Sequence, residues 1–248
     1  MPSKLLKALQ NILIVILFGV IIFCGYKIVP NLIDSSNSKK EKKTIANVIA
    51  SIDENRFSQK AFDALKEENE DLVGYLKFDS GILSLPVVQA SDNNYYLRKS
   101  FYKEYNDQGV PFMDASCTTD SQNMVIYGHN VYYDDSAMFS PLSFLTDQEK
   151  FEESQYFTFY LDGEIRKYVI TDIYEIDINN SNYDFQKIDF SSQDEFDKWY
   201  QTAHEKNLVI SKEVLTYSNN FITFQTCKRF FQDSRIIILA KEIDRNNY

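Results

Sequence analysis

The sequence is poor in the residues that mark specialised chains. Its 248 residues include only 7 glycines, 5 prolines, 3 cysteines and 2 histidines. So little glycine and proline excludes collagen-like and low-complexity proteins, and two histidines without any C-x-x-C pair argue against a zinc site. Basic residues are outnumbered 26 to 36 by acidic ones, and a net charge of −10 argues against nucleic acid as a partner. We expect neither a metal nor another cofactor.

What is present is typical of a folded protein with an appendage. Hydrophobic residues make up 44% and charged residues 25%, close to the globular average, so wholesale disorder is excluded. The length allows one domain plus a smaller segment. Residues 1–43 contain seven lysines and two acidic residues, a net charge of +5, which leaves −15 on residues 44–248. A basic, apolar leader therefore precedes an acidic body.

The leader contains one long apolar run. Residues 12–26, ILIVILFGVIIFCGY, carry no charge, and the wider window 8–29 is long enough for a short membrane span. A cleaved signal peptide is the alternative, but no small-x-small site follows, and Phe23 precedes Cys24 where lipoprotein processing needs a small residue. We predict a transmembrane anchor within residues 1–30. Lysines flank it on both sides, so the positive-inside rule does not decide its orientation.

The body begins with a change of pattern. Residues 31–43 are polar and lack periodicity, which predicts a linker or stalk before a domain at 44–248. From Thr44 to about Glu70 apolar residues recur at helical spacing, which predicts two helices or one broken helix. Short runs rich in β-branched and aromatic residues then predict eight strands, at 73–78, 82–89, 110–113, 124–127, 156–161, 166–178, 221–226 and 235–241.

Turn and cap signals complete the fold prediction. Asp162-Gly163 separates two predicted strands and is typical of a hairpin. Residues 136–146 and 191–207 have helical patterns, and in the second Ser192 precedes Glu195 as in a capping box. Eight short strands in about 170 residues indicate a mostly β fold, a closed or nearly closed barrel with inserted helices.

One predicted hairpin places a thiol beside a cation. The apolar strand ending at Cys227 is followed by a predicted seven-residue loop, 228–234, and Arg235 opens the next strand. The hairpin brings the two residues to the same end, where a cation would favour the nucleophilic thiolate. The alternative is a buried structural cysteine beside an edge arginine.

The two histidines differ in setting. His129 follows an apolar strand through Gly128, and an imidazole at a strand end can serve as acid or base for a thiol nucleophile. The alternative is a loop histidine without a role. His204 lies beside Glu205 in the 191–207 helix, where we predict a solvated position.

Together these motifs resemble one family. Tyr127-Gly-His-Asn130, the strand Thr223-Phe-Gln-Thr-Cys227 and Arg235 resemble the sortases, membrane-anchored cysteine transpeptidases of Gram-positive bacteria. The family pattern T-L-x-T-C is matched with Phe in place of Leu. The stretches 92–97, 109–114 and 127–139, the N-terminal helices and the 191–207 helix are similar to class B, over roughly residues 45–242. The resemblance implies a sortase-like closed eight-stranded β-barrel with a long inserted helix before the cysteine strand.

The resemblance also implies a reaction. Cys227 would attack the carbonyl after the Thr of a C-terminal sorting motif on a secreted protein and form a thioacyl-enzyme. His129 would protonate the departing amine and deprotonate the incoming amine of a peptidoglycan precursor, and Arg235 would bind the oxyanion or the substrate backbone. The catalytic domain would lie outside the cell, held at the membrane by the N-terminal helix.

The implied substrate groove is less sharply defined. Thr226 would support the site and Asn93 and Leu97 would line the groove. Gln225 replaces a Ser that touches substrate in class B relatives, so the sorting motif is left open. Cys117 matches no family role and is interpreted as structural.

Three alternatives stay open on sequence alone. A thiol hydrolase would release peptide without transfer. A pilin-polymerising sortase would join subunits to one another. A non-catalytic binding module would staple its barrel with a Cys117–Cys227 disulfide.

Overall fold

The structure is a computed structural model that describes residues 4–53, 57–179, 184–228 and 231–248. Within them eight strands close into a barrel in the order β1-β2-β3-β4-β7-β8-β6-β5, with β5 returning to β1. The pairs β2–β3 and β4–β7 are parallel and the others antiparallel. This confirms the predicted barrel. The strands are β1 (Leu72–Phe78), β2 (Ser84–Val88), β3 (Phe112–Met113), β4 (Asn123–Tyr127), β5 (Tyr156–Leu161), β6 (Glu164–Asp177), β7 (Phe221–Lys228) and β8 (Phe231–Asn247).

Aromatic side chains fill the barrel. Phe224, the residue that replaces leucine in the cysteine motif, is 1% exposed, and its ring centroid lies 5.2 Å from that of Phe157 and 5.5 Å from that of Phe139. A buried aromatic side chain contributes a large apolar area, and offset or edge-on ring pairs add to it. The cysteine strand is therefore anchored by its own side chains in the centre of the core. The predicted hairpin at Asp162-Gly163 joins β5 to β6, with Gly163 at φ +76°.

The helices pack outside the barrel. They are α1 (Lys4–Ile52), α2 (Gln59–Glu68), α3 (Gln148–Ser154) and α4 (Gln193–His204), with short 3₁₀ helices at Tyr95–Arg98 and Ser140–Thr146. In α4 the predicted cap is present, since Ser192 Oγ accepts the Glu195 N–H at 3.3 Å. Its predicted apolar stripe is buried against β6, β7 and β8: Phe196, Trp199, Tyr200 and Ala203.

The helix predicted at 136–146 is shorter than expected. The chain turns through Phe139 and only then forms the 3₁₀ helix. Met138 has φ +43°, a left-handed conformation that a right-handed helix cannot include, and Pro141 fits the first turn of the helix that follows.

The first helix runs through the residues predicted as a linker or stalk. α1 is continuous from Lys4 to Ile52, through Pro30, so residues 31–43 are helical. Its N-terminal part is long and apolar enough to cross a membrane, and none of its most apolar stretch is buried against the rest of the described chain. Residues 31–43 showed no hydrophobic periodicity because the face they bury is polar: Asp34 and Ser38 are 8% and 2% exposed. Polar contacts leave no apolar stripe for a pattern to detect.

His204 is exposed as predicted, but it has a specific partner. Its Nδ1 lies 2.6 Å from Asp172 Oδ1, a carboxylate that is fully buried. The same carboxylate accepts the Tyr200 hydroxyl at 2.9 Å and the Asn207 amide at 3.1 Å. The predicted solvated position of His204 is confirmed, and its ring also helps to satisfy a buried carboxylate that holds α4 to β6.

Candidate active site

Two parallel strands bring the histidine and cysteine motifs to one edge of the barrel. In the ladder between β4 and β7, Tyr127 pairs with Gln225. Because parallel strands end on the same side of a sheet, Gly128 and His129 leave the barrel beside Thr226 and Cys227. The Gly128 N–H donates to the Gln225 carbonyl at 3.1 Å and extends the pairing by one step.

Arg235, the third residue predicted for the catalytic site, lies on β8. Cys227 pairs with Arg235 in the antiparallel β7–β8 ladder. Residues directly opposite in such a ladder present their side chains on the same face. The predicted seven-residue loop is too long, since β7 extends to Lys228 and β8 begins at Phe231; Arg229 and Phe230 lie outside the described residues. Longer strands hold the thiol and the guanidinium on paired backbone rather than on a loop.

A cavity of about 260 Å³ opens at this edge. All seven residues predicted for the site line it: Asn93, Leu97, His129, Gln225, Thr226, Cys227 and Arg235. Sequence reasoning missed the remaining lining residues, which are Val110, Phe112, Tyr127, Gly128 and Gln186. Gln186 lies in the long connection between β6 and α4, far from either motif in sequence, so no local signal marked it.

Gly128 is required by a close approach. A Cβ atom at this position would lie 2.4 Å from the Phe139 ring. Phe139 is also tied to the next residue, since its N–H donates to the His129 carbonyl at 3.0 Å. The glycine thus lets the core phenylalanine pass directly beneath the histidine and close the loop that carries it.

His129 is held in one orientation. Its Nε2 lies 2.9 Å from the Leu97 carbonyl oxygen. A carbonyl can only accept, so Nε2 carries the proton, and in the neutral ring Nδ1 keeps its lone pair. Burial lowers the pKa of His129, and the nearby Arg98 and Arg235 lower it further, against the Leu97 carbonyl, which raises it. The imidazole is therefore mostly neutral at pH 7 and can accept a proton at Nδ1.

The nucleophile candidate is a free, partly accessible thiol. Cys227 is intermediate in exposure and unpaired. Its carbonyl accepts the Asn130 side-chain amide at 2.9 Å, which ties the residue after the histidine to the cysteine strand. Cys117 is also an unpaired thiol, so the structure does not contain the alternative Cys117–Cys227 disulfide. Cys117 is 4% exposed, bonded to the Asn123 carbonyl and the Val125 N–H, which is a structural position.

A buried carboxylate organises one wall of the cavity. Asp114 accepts the Tyr127 hydroxyl at 2.6 Å and the Asn93 amide at 2.8 Å. Asn93 Oδ1 in turn accepts the Ala115 N–H at 2.8 Å, and Gln186 donates to the Tyr127 oxygen at 2.6 Å. Burial and the Asp114 charge raise the pKa of Tyr127, so its hydroxyl stays protonated. Asn93 is thus part of a rigid wall.

Two polar atoms of the cavity residues are buried without a partner in the described part of the chain. Gln225 Oε1 and Thr226 Oγ1 are buried and have no hydrogen-bond partner among the described residues. Buried polar groups are nearly always paired, so such atoms in a binding cavity favour a role with a bound molecule.

Comparisons with known proteins agree with this geometry. The family model for the sortase domain matches residues 79–243. Sortase B of Staphylococcus aureus is 26% identical over 246 residues, covering 96% of this chain and 98% of that protein. Solved structures of sortase B from Clostridium perfringens, in a mutant form, and from B. anthracis match with TM-scores of 0.73 and 0.74 at 26% and 25% identity. They cover 82% and 86% of this chain, and 96% and 99% of their own chains.

Proposed function

Since the chain belongs to the sortase family of cysteine transpeptidases, and to its class B, we propose that Cys227 is the nucleophile, His129 the acid–base group and Arg235 the oxyanion donor. The observation that carries the proposal is their convergence on one cavity at the end of the barrel. Sortases join proteins bearing a sorting motif to an acceptor amine, a chemistry that needs a thiol, a proton carrier and a site for developing negative charge.

His129 is proposed to carry a proton at three points: from the thiol, to the departing amine and from the incoming amine. Neutral His129 accepts the Cys227 proton at Nδ1, and the thiolate attacks the carbonyl after the Thr of the sorting motif. The protonated imidazole then gives its proton to the departing amine, which leaves a thioacyl-enzyme. In the second half-reaction the imidazole takes a proton from the incoming amine as that amine displaces Cys227.

Arg235 suits the transient oxyanion. Its guanidinium stays charged and offers a planar fork of donors. A donor of this kind typically contributes about 10²–10³ in rate. Placement on paired strands keeps the fork on the same face as the thiol.

The substrate is proposed to lie along the cavity walls. Leu97 and Asn93 line one side, and the Gln225 and Thr226 side-chain oxygens, which have no partner among the described residues, belong to the same lining as the thiol. Gln225 is larger than the serine expected from class B relatives and offers an amide in place of a hydroxyl. The positions flanking the Thr of the sorting motif are therefore the ones at which we expect the preference of this enzyme to differ from that of its relatives.

The location of the enzyme follows the same proposal. The apolar part of α1, within residues 1–30, would span the membrane once, with the 44–248 domain on the outer side. The substrates would be secreted proteins with a C-terminal sorting motif, and the acceptor an amine of a peptidoglycan precursor. The exposed apolar helix supports the membrane span. The outward orientation of the domain is inferred from the family, because lysines on both sides of the apolar run leave the positive-inside rule undecided.

A peptide screen tests the function. The chain is incubated with a peptide library varied around a central Thr, with and without a glycine-peptide amine as acceptor, and products are identified by mass spectrometry. We expect a thioacyl adduct on Cys227, and a joined product that appears only with the amine. Cleavage by Cys227→Ala would overturn the assignment. Hydrolysis that is unchanged by the amine would indicate the thiol hydrolase instead.

A further inference from the structure

The polar part of α1 contacts the loop that carries His129. We call residues 31–42 the docked segment and residues 129–139 the histidine loop. Lys39 Nζ lies 3.2 Å from Asp134 Oδ2, and Lys42 Nζ donates to the Ser136 carbonyl at 2.6 Å. These two lysines are nearly one helical turn apart, so one face of α1 engages the loop at two points.

The docked segment also contacts the loop that carries Leu97. Phe101 N–H donates to the Glu41 carboxylate at 3.1 Å. The Asn106 amide donates to Ser38 Oγ at 2.9 Å, and both residues are only 2% exposed. Leaving a buried amide without its hydrogen-bond partner lowers the stability of the folded protein. These contacts therefore hold α1 in a defined position on the domain.

Asp134 links α1 to the backbone of the histidine loop. Its carboxylate accepts the Ser136 N–H at 3.1 Å and the Ser136 hydroxyl at 2.7 Å, in addition to Lys39. Desolvation alone would raise its pKa, but the hydrogen bonds from Ser136, Lys39 and Ser35 outweigh it and lower the pKa to about 2. The loop closes on itself where Asn130 pairs with Met138, directly after the histidine.

The two contacted loops meet at the imidazole. His129 Nε2 donates to the Leu97 carbonyl, so the orientation of the ring depends on both loops at once. Gln108, which is 1% exposed, contacts Ser35 of α1 at 3.1 Å and Tyr133 of the histidine loop at 3.5 Å. The docked segment is therefore a shared support for the two backbone stretches that orient His129.

We propose that residues 31–42 of α1 position His129 for catalysis, with Lys39, Glu41 and Lys42 as positioning residues. This inference rests on the proposed role of His129. The helix that carries the membrane-spanning candidate then also sets the geometry of the active site, and a domain cut off beyond residue 43 lacks part of its own catalytic support.

The test uses the full-length chain with three substitutions in α1. Lys39→Glu reverses the charge facing Asp134, and Lys39→Arg keeps the ion pair. Lys43→Glu is the matched control, since it makes the same charge change on the same helix at an exposed residue with no ion pair among the described residues. We expect Lys39→Glu to lower kcat at least about fivefold with little change in KM, because a negative charge facing Asp134, whose side chain is only 8% exposed, displaces the loop that orients His129. Lys39→Arg and Lys43→Glu should stay within twofold of the parent.

A second measurement does not depend on turnover. The chain has two histidines, so its imidazole NMR signals can be assigned with His204→Gln, and His129 can be titrated directly. Release of the loop should hydrate the ring and raise its pKa in Lys39→Glu, while Lys43→Glu and Lys39→Arg leave it unchanged. Equal kcat values and equal His129 pKa values in Lys39→Glu and Lys43→Glu would overturn the proposal. If the parent chain cleaves no peptide, the proposed function fails, and the titration still decides whether α1 positions the ring.

Discussion

Cys227 and Arg235 are directly opposed in the antiparallel ladder of β7 and β8, eight residues apart in sequence and paired in space. Both line the same cavity, and His129 reaches it from the neighbouring strand β4. Three side chains thus converge from three strands whose backbones are bonded to one another. Such a site is held within a narrow range of geometry by the barrel, which is the condition for efficient orientation of reacting groups.

Thiol reagents should distinguish Cys227 from Cys117. Cys117 is 4% exposed, and burial raises its pKa to about 11. At pH 8 only roughly 0.1% of it is thiolate, which is the reactive form. In a Cys24→Ala background we expect iodoacetamide to add one label at Cys227, and Cys227→Ala to remain unlabelled. Peptide mapping checks the site, and a first label at Cys117 would contradict the assignment.

Arg235→Lys should be severely impaired although the charge is kept. A lysine ammonium cannot reproduce the planar fork, and the loss of one oxyanion donor typically lowers kcat about 10²–10³-fold. Arg245→Lys is the matched control, because Arg245 lies at the other end of β8 and pairs with Glu242. Steady-state cleavage of the selected peptide measures both variants. Turnover of Arg235→Lys near that of the control would remove Arg235 from the mechanism.

Thr226→Val should separate substrate binding from stability. The Thr226 hydroxyl is buried without a partner among the described residues, and the residue is 3% exposed. Valine has nearly the same shape, so the free energy of unfolding should stay equal or rise by about 1 kcal/mol. If the hydroxyl bonds to substrate, kcat/KM should fall about tenfold. Urea unfolding measures the stability of the variant, and kinetics on the same preparation measure its kcat/KM. An unchanged kcat/KM would show that the Thr226 hydroxyl does not contact the substrate.

His129 should make the folded protein less stable in mild acid. Burial lowers its pKa in the folded state, so below the unfolded value of about 6.5 the unfolded chain binds the proton more readily. The free energy of unfolding should therefore decline as pH falls from 6.5 toward the folded pKa, by at most about 1.4 kcal/mol per pH unit. His129→Gln should lose this decline, whereas His204→Gln should keep it. Urea unfolding between pH 5 and 7 measures the slopes, and identical slopes in parent and His129→Gln would refute the prediction.

The sequence predicted the barrel because its strands bury alternating or continuous apolar faces. Phe224 and its neighbours in β7 form such a run, and the ends of β4 and β7 carried recognisable motifs. Every residue predicted for the site lines the cavity. His129, Gln225, Thr226, Cys227 and Arg235 lie in or next to strands that were readable locally, whereas Asn93 and Leu97 were expected from the family resemblance.

Contacts between distant polar residues could not be predicted in the same way. Gln186 and Asn130 reach the site through hydrogen bonds to residues 59 and 97 positions away. The docked segment looked like a linker because it buries serines and charged groups against polar loops. The bond from the exposed His204 to the buried Asp172 was equally invisible in the sequence. A hydrogen-bond partner of this kind has no periodic signature.

By itself the sequence determined the apolar leader, the eight strands and the three residues most suited to thiol chemistry, because hydrophobic periodicity and short motifs are local properties of the chain. Only the tertiary structure decided that β7 and β8 extend past Cys227 and Arg235 and pair them within the ladder, that the Leu97 carbonyl sets the tautomer of His129, and that α1 is docked on both loops around it. These are relations between residues far apart in the chain, and they exist only once the barrel has closed.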